Sequence, residues 1–339
     1  MDSEQSSGEP ISPVALNVVR QVACALLALA FALGVPGNLT VVWTVCRMKT
    51  PRPTVLLILN LAAADLLTLL TVPFWIYVLA DVWSPEPLVC RSLMWLVNGS
   101  MFSSVLLITL LSAERLVAVV RPFHLQRWWR RAGAHKVLLL LWLAALALAV
   151  PAMLTVDPSH CLQREFSSGR QQVTLLLLET LAGFVGPFAV IAVCSACVRR
   201  HLRRLHHPGR RRAGRIVTAV VVAFAVCWLP YHLANAAAVA AELLGDPSGE
   251  PLAWLKDAAD VGHSISAPLV FLGSCVNPLL YAFAARRIVQ EGGLAGLFAR
   301  MVPSVPSVPN DGAHQEANQS LGDSASDQAL GLNSRDSGF

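Results

Sequence analysis

Apolar residues along the chain gather into seven long runs, at about 21–46, 54–80, 89–120, 136–156, 172–198, 214–244 and 257–284, separated by short polar segments. Each run meets the roughly 20 residues that a helix needs to cross the hydrocarbon of a bilayer. The backbone finds no water there, so each run must satisfy its own N–H and C=O groups by forming a helix. The pattern predicts an all-α membrane protein, a seven-transmembrane helix bundle over residues 21–284. Residues 1–20 are expected to form a polar extracellular terminus; no convincing cleavage site follows Met1–Pro13, so the first run reads as a membrane helix and not as a signal peptide. Beyond the seventh run, Arg286-Arg287 and the apolar positions from Leu294 to Met301 predict a short amphipathic eighth helix over 285–301, lying on the membrane surface. The Ser, Asp, Asn, Gly and Pro-rich segment 302–339 predicts a disordered cytoplasmic tail.

Composition supports the same class. Of 339 residues 55% are hydrophobic and 14% charged, against about 25% charged in an ordinary soluble domain. The short connections leave no room for a soluble catalytic domain. Basic residues fix the expected orientation, because positive flanks are retained in the cytoplasm. They crowd the connections after the first, third and fifth runs (Arg47, Lys49 and Arg52; Arg121, Arg127, Arg130, Arg131 and Lys136; Arg199 through Arg215), while the other face holds only Arg20, Arg91, Arg164, Arg170 and Lys256. This places the amino terminus outside, the carboxyl tail inside, and the chain in the plasma membrane. Such juxtamembrane clusters face anionic membrane lipid or a partner protein, and a nucleic-acid partner is set aside.

Of eight cysteines, six fall within or at the ends of the runs. Cys90 and Cys161 alone lie on the outer side, in an oxidising compartment, which points to a disulfide between them. A charge retained in the hydrocarbon costs at least about 2.5–3.5 kcal/mol and is a functional candidate. Asp65 is such a charge, and Asn38, Ser100, Ser104, Ser274 and Asn277 could gather around it. From spacing alone, that cluster is either a site for water or a small cation or helix-to-helix hydrogen bonding. Pro230 and Pro278 interrupt the sixth and seventh runs, where a missing N–H kinks a helix. Glu114-Arg115 places adjacent opposite charges at the inner end of the third run, as a snorkelling pair or as a latch opened when the helices separate.

Taken in order, Gly37-Asn38, Asn60 to Asp65, Cys90 with Cys161, Glu114-Arg115, Trp142, Pro187, Cys227-Trp-Leu-Pro230 and Asn277-Pro-Leu-Leu-Tyr281 resemble the motifs of rhodopsin-like G-protein-coupled receptors over about residues 20–300. The resemblance implies that Asp65, Ser104, Ser274 and Asn277 form a pocket for an allosteric sodium ion, with no other cofactor. It implies that Trp228 is a toggle beneath the ligand. It further implies that Glu114, Arg115 and Tyr281 serve coupling to a heterotrimeric G protein, with Arg115 meeting the terminal helix of the α-subunit. Two positions depart from the pattern: Leu116 and Ser195 stand where the family usually has tyrosines.

Val97 replaces the aspartate of amine receptors, and the seventh run has no mid-helix lysine such as opsins need. The wording around Val35 to Asn38, Val42-Trp43, Ser104 to Ile108, Arg121-Pro-Phe123, Trp228 to His232 and Asn235 is similar to the leukotriene B4 receptors. That similarity implies an extracellular lipid-acid ligand, inhibitory-class G proteins and a role in chemotaxis and inflammation. Such a ligand needs an apolar slot, a few hydrogen-bonding groups and positive charge near the entrance. Glu179, His232 and Asn235 are candidates for the hydrogen bonds, and Arg91, Arg164, Arg170, Lys256 or His263 for the carboxylate. Arginines of the leukotriene group near the outer ends of the fourth and seventh helices align with Val156 and His263. A related lipid or a chemoattractant peptide stays open as ligand. Ser320, Ser324, Ser326, Ser334 and Ser337 are candidate sites for a receptor kinase, and through it for arrestin. A transporter or channel is disfavoured by the lack of internal repeats, and an intramembrane enzyme by the lack of an acid, base or metal partner at the depth of Asp65.

Overall fold

A computed structural model of the chain describes residues 13–47, 53–82, 85–157, 160–204, 210–245 and 252–285. Among these residues the elements in chain order are α1 (Pro13–Cys46), α2 (Pro53–Leu70), α3 (Val72–Leu79), α4 (Pro87–Val120), α5 (Pro122–Ala132), α6 (Ala134–Leu154), α7 (Gly169–Thr180), a π-helical turn (Leu181–Val185), α8 (Gly186–Arg204), α9 (Arg210–Leu243) and α10 (Ala253–Ala285). Counting α2 with α3, and α7 with the π turn and α8, seven helices are long and apolar enough to cross a membrane. They coincide with the seven predicted runs. The amphipathic helix expected at 285–301 and the tail at 302–339 lie outside the described residues, save Ala285.

The order of packing closes the bundle. α1 lies against both α2 and α10, α9 against α10 and α8, and α4 contacts α2, α6, α8 and α5. Residues facing neighbours are fully buried, as with Leu57, Leu61, Leu107 and Ile191, whereas Leu139, Leu140 and Leu143 of α6 are exposed on the side that would meet lipid. Aliphatic side chains outside the bundle cost nothing in hydrocarbon, so close packing and interhelical hydrogen bonds hold it together.

Two local features correct the expected pattern. The second run is not continuous over 54–80 but breaks at Thr71, because Pro73 has no N–H to extend the helical ladder. Thr71 repairs the break: its hydroxyl donates to the Thr68 carbonyl at 2.7 Å and accepts from the Trp75 indole at 2.9 Å. The second correction is α5, which occupies a connection read only as a basic loop. Pro122 starts it at a position that tolerates the missing N–H, and Gly133 ends it with φ +74°, a left-handed conformation suited to glycine. Its inner side carries Leu125 and the buried Trp129, packed with α2, α4 and α6 residues in one apolar cluster.

Close approach of α1 to its neighbours depends on Gly34, where a Cβ would run into Leu69 and the Cys275 sulfur. Gly34→Leu is expected to lower stability by about 1–3 kcal/mol, as overpacking generally does. Thermal unfolding of the purified protein checks this, with the lipid-facing Leu33→Ala expected to stay near the parent.

Candidate functional site

The most deeply placed charge is Asp65 on α2, with no exposed surface. An unpaired carboxylate there would be prohibitive, so its oxygens must be bonded. Ser104 of α4 donates to Oδ1 at 2.9 Å and Asn277 of α10 donates to Oδ2 at 2.8 Å. Ser274, one turn before Asn277, also bears on this carboxylate. Three helices are thereby tied at one point. Asn38 and Ser100, expected in the same cluster, bond elsewhere: Asn38 donates to the Gly34 and Ser274 carbonyls, both at 3.0 Å, and Ser100 pairs with Thr68 at 2.8 Å. Asn60 is likewise outside the cluster, accepting the Trp142 indole N–H at 3.0 Å.

Toward the end bearing the disulfide, α7 gives way to the π turn at Leu181–Val185, just before Gly186-Pro187. A π turn inserts one extra residue per helical turn and often re-aims side chains at functional sites. Here it brings Phe184 against His232 of α9, with ring centroids 5.1 Å apart. The stack runs on from His232 to Trp228 at 6.1 Å and from Trp228 to Phe224 at 6.0 Å, one turn apart along α9. Gly183 leaves room for His232 and Phe102 to come close. His232 is 4% exposed, its Nδ1 lies 3.3 Å from the Thr180 hydroxyl, and its Nε2 is buried with no partner. An orphaned buried ring nitrogen is costly and asks for a ligand group or water.

Above this floor lies a network of longer reach. Glu179 accepts from the Arg164 guanidinium at 2.8 Å and from the Tyr231 hydroxyl at 2.7 Å. Asn235 Oδ1 lies 2.7 Å from His263 Nε2 on α10, and Tyr231 packs its ring on His263. The expected disulfide joins Cys90 to Cys161, with Cα atoms 5.6 Å apart. It pins a loop whose ends pair through the bridge between Val156 and Arg164, and this delivers Arg164 to Glu179. Burial disfavours the charged guanidinium, but Glu179 beside it more than compensates and holds Arg164 above its ordinary value. Arg164, offered for a ligand carboxylate, and Glu179, offered for a ligand hydroxyl, are thus bonded to each other. Arg91, Arg170 and Lys256 remain exposed around the same end. Tyr231 and Thr180 were missed as site residues; Tyr231 follows the helix-breaking Pro230 and is one of only three tyrosines in the chain, a signal that could have drawn attention to it.

At the opposite end, Glu114 and Arg115, readable in the sequence as a snorkelling pair or as a latch, make no ion pair with each other. Adjacent residues of a helix point about 100° apart, so they do not face each other. Glu114 turns inward, accepting from Thr54 at 2.7 Å and from the Trp129 indole at 3.2 Å, with its second oxygen buried and unpartnered. Arg115 instead lines a cleft with Ser112, Cys194, Ser195, Val198 and Val220. Ser195, standing where a tyrosine was expected, leaves that cleft open beside the guanidinium. Trp129 was not foreseen, although Leu125, Trp129 and Ala132 repeat at helical spacing. The side chain of Tyr281 lies outside the described residues.

Residue pairing in the outer network is testable. Arg164→Met and Glu179→Leu are each expected to destabilise by stranding the other charge, and the double variant to recover, with a coupling of about 1–3 kcal/mol. Thermal unfolding of the four proteins measures it.

Comparison with known proteins matches residues 37–281 to the family described as 7 transmembrane receptor (rhodopsin family). Leukotriene B4 receptor 1 of Homo sapiens is 36% identical, covering 89% of this chain and 87% of that protein. Leukotriene B4 receptor 2 of Rattus norvegicus is 38% identical over 81% of this chain and 78% of its own. C5a anaphylatoxin chemotactic receptor 1 of Oncorhynchus mykiss is 34% identical over 78% and 77%.

Proposed function

The chain belongs to the rhodopsin family of seven-transmembrane receptors, and we propose that it is the receptor for leukotriene B4 or a closely related hydroxylated fatty acid, signalling through inhibitory-class heterotrimeric G proteins. The observation carrying the ligand class is the buried, unpartnered His232 Nε2 on its aromatic stack, beside the leukotriene-receptor relatives. Phe184, His232, Trp228 and Phe224 form an aromatic stack, and the buried His232 Nε2 has no partner. An acyl chain would gain from the aromatic floor, and a hydroxyl could complete His232 or exchange with the bond between Asn235 and His263. Because Glu179 already neutralises Arg164, the ligand carboxylate falls to the exposed cations Arg91, Arg170 and Lys256, with His263 behind them. The C5a receptor relative favours a second reading, a chemoattractant peptide.

The route inward follows from the same contacts. A ligand pressing on His232 and Trp228 loads α9 next to Pro230, where the ladder lacks a hydrogen bond. α9 packs on α10, whose Asn277 bonds Asp65. Rearrangement at Asp65 would then separate the inner ends and free Arg115 for the G protein. Asp65, Ser104 and Ser274 supply the hard oxygen donors that a sodium ion prefers, and Asn277 also bears on Asp65; a cation there would neutralise Asp65 and favour the bonded arrangement. The basic connections orient the carboxyl end toward the cytoplasm. The plasma membrane is the expected location, and a phosphorylated tail would engage receptor kinase and arrestin.

A cAMP and calcium assay in transfected cells against a panel of lipids and chemoattractant peptides tests this reading. Leukotriene B4 or a near relative is expected to lower stimulated cAMP; a response to peptides alone would transfer the chain to the second reading. Arg115→Ala should abolish the response while leaving ligand binding intact. His232→Ala should weaken lipid binding about tenfold, the worth of one buried hydrogen bond.

A further inference from the structure

Thr180 closes α7 immediately before the π turn, and its hydroxyl is used differently from those of other helical threonines. Thr40, Thr44, Thr109 and Thr174 each donate to the carbonyl four residues back, at 2.7 to 2.8 Å. Thr180 makes no such bond among the described residues: its Oγ1 accepts from Asn235 Nδ2 at 3.4 Å and lies 3.3 Å from His232 Nδ1. Asn235 in turn places Oδ1 2.7 Å from His263 Nε2. The four side chains form one hydrogen-bonded chain, from α10 through α9 and α7 back to α9. It ends at His232 Nε2, which is buried with no partner. The imidazole is held in its plane between Phe184 and Trp228, with ring centroids at 5.1 and 6.1 Å. A Cβ on Gly183 would lie 3.6 Å from His232 Cε1 and 3.8 Å from Nε2, so the glycine leaves the space beside this edge of the ring unfilled.

Protons can be ordered along such a chain in only two directions. The contact of 2.7 Å between Asn235 and His263 sits at the short limit for N–H···O and is too close for nitrogen, a larger atom, as the acceptor. The amide oxygen therefore faces His263, which donates to it, and the amide nitrogen faces Thr180 and donates to its hydroxyl oxygen. If His232 Nδ1 also donated to that oxygen, the Thr180 proton would be stranded, because the carbonyl four residues back does not receive it. Satisfying every group sends the Thr180 proton to His232 Nδ1. A neutral imidazole carries one N–H, and with Nδ1 accepting, that proton sits on Nε2. We propose that Thr180 and Asn235 are positioning residues that hold the His232 proton on Nε2, so that the pocket presents a buried N–H and selects a ligand oxygen that accepts, a ketone as readily as a hydroxyl. The selection rests on the reading of this pocket as the lipid-acid site and deepens it, since oxo fatty acids join hydroxy fatty acids as a ligand class. A ligand with only hydrogens on the facing carbon leaves the N–H unpaired.

NMR of the full-length receptor in nanodiscs, labelled with isotopic nitrogen at histidine and free of ligand, tests the position of the proton, with His232→Gln identifying the resonances. The parent and Thr180→Ser are expected to carry it on Nε2. Thr180→Val should show both tautomers. Asn235→Asp, whose carboxylate only accepts, should draw the Thr180 proton to itself and move the ring proton to Nδ1. Competition binding then compares leukotriene B4 with analogues in which one hydroxyl is a ketone or is absent. At the position that meets His232, the ketone should bind the parent within about threefold of leukotriene B4 and the deoxy analogue about tenfold more weakly, the worth of one buried hydrogen bond. In Asn235→Asp the ketone should fall about tenfold behind leukotriene B4, because a ketone cannot donate to the bare Nε2. Thermal midpoints near the parent's show that the variants fold. A parent proton on Nδ1, or a ring proton unmoved in Asn235→Asp, overturns the proposal whether or not leukotriene B4 binds. Deoxy analogues that all bind as tightly as leukotriene B4 leave water as the partner of Nε2 and overturn the selection. A proton on Nε2 in a receptor that binds none of these lipids supports the ordered chain and overturns the ligand reading instead.

Discussion

A carboxylate with no exposed surface, in the middle of an apolar helix, constrains everything packed around it. Asp65 is stable only if α4 and α10 bring donors to it, and Ser104 and Asn277 do so, one to each oxygen. That requirement fixes the rotation of three helices about their axes. It also explains why α1 must come close, since Asn38 bonds the Ser274 carbonyl and Gly34 leaves space for Leu69 and Cys275. Hydrocarbon offers little force to drive apolar helices together, so a few polar contacts decide how they associate. The aliphatic surfaces then follow.

The two ends of the bundle are organised by the same rule, that a polar group out of water must find a partner. At the end bearing the disulfide, the bond from Cys90 to Cys161 holds the loop that carries Arg164 to Glu179, and Tyr231 completes the carboxylate. At the opposite end, one oxygen of Glu114 is bonded by Thr54 and by Trp129 of α5, while Arg115 lines the cleft beside Ser195. The holding contacts at that end are therefore a hydroxyl from α2 and an indole from α5 to the Glu114 carboxylate, and not an ion pair within α4. Where single groups stay unsatisfied, at His232 Nε2 and Glu114 Oε2, the bundle has sites that a ligand or a changed arrangement could complete.

How much of this was legible in the sequence depended on the range of the interaction. The seven spans follow from hydrocarbon thickness, which acts on every residue of a run alike. The Cys90 to Cys161 bond followed because topology left no other outer cysteines. The partners of Asp65 were readable in part: Ser104, Ser274 and Asn277 belong to it, whereas Asn38 and Ser100 reach the backbone and Thr68 instead, a choice set by helix rotation. The pairing of Arg164 with Glu179 joins a loop to a helix, and nothing local to either residue announces it. Proximity in sequence misled at Glu114 and Arg115, because helical geometry turns neighbours apart. The break at Thr71 and the turn of α5 were written locally, in Pro73 and in the repeat of Leu125, Trp129 and Ala132, but the long apolar run and the dense arginines masked both.

The Asp65 node touches α10, which packs on α9 with its aromatic stack, and α4, which bears Arg115. Its account as the bistable element between the two ends is tested most directly by ligand affinity against sodium concentration at constant ionic strength, in parent and Asp65→Asn receptors. The account predicts that leukotriene B4, or whichever ligand activates the receptor, binds the parent more weakly as sodium rises, and binds Asp65→Asn with an affinity independent of sodium. An identical sodium response in the two proteins would contradict it.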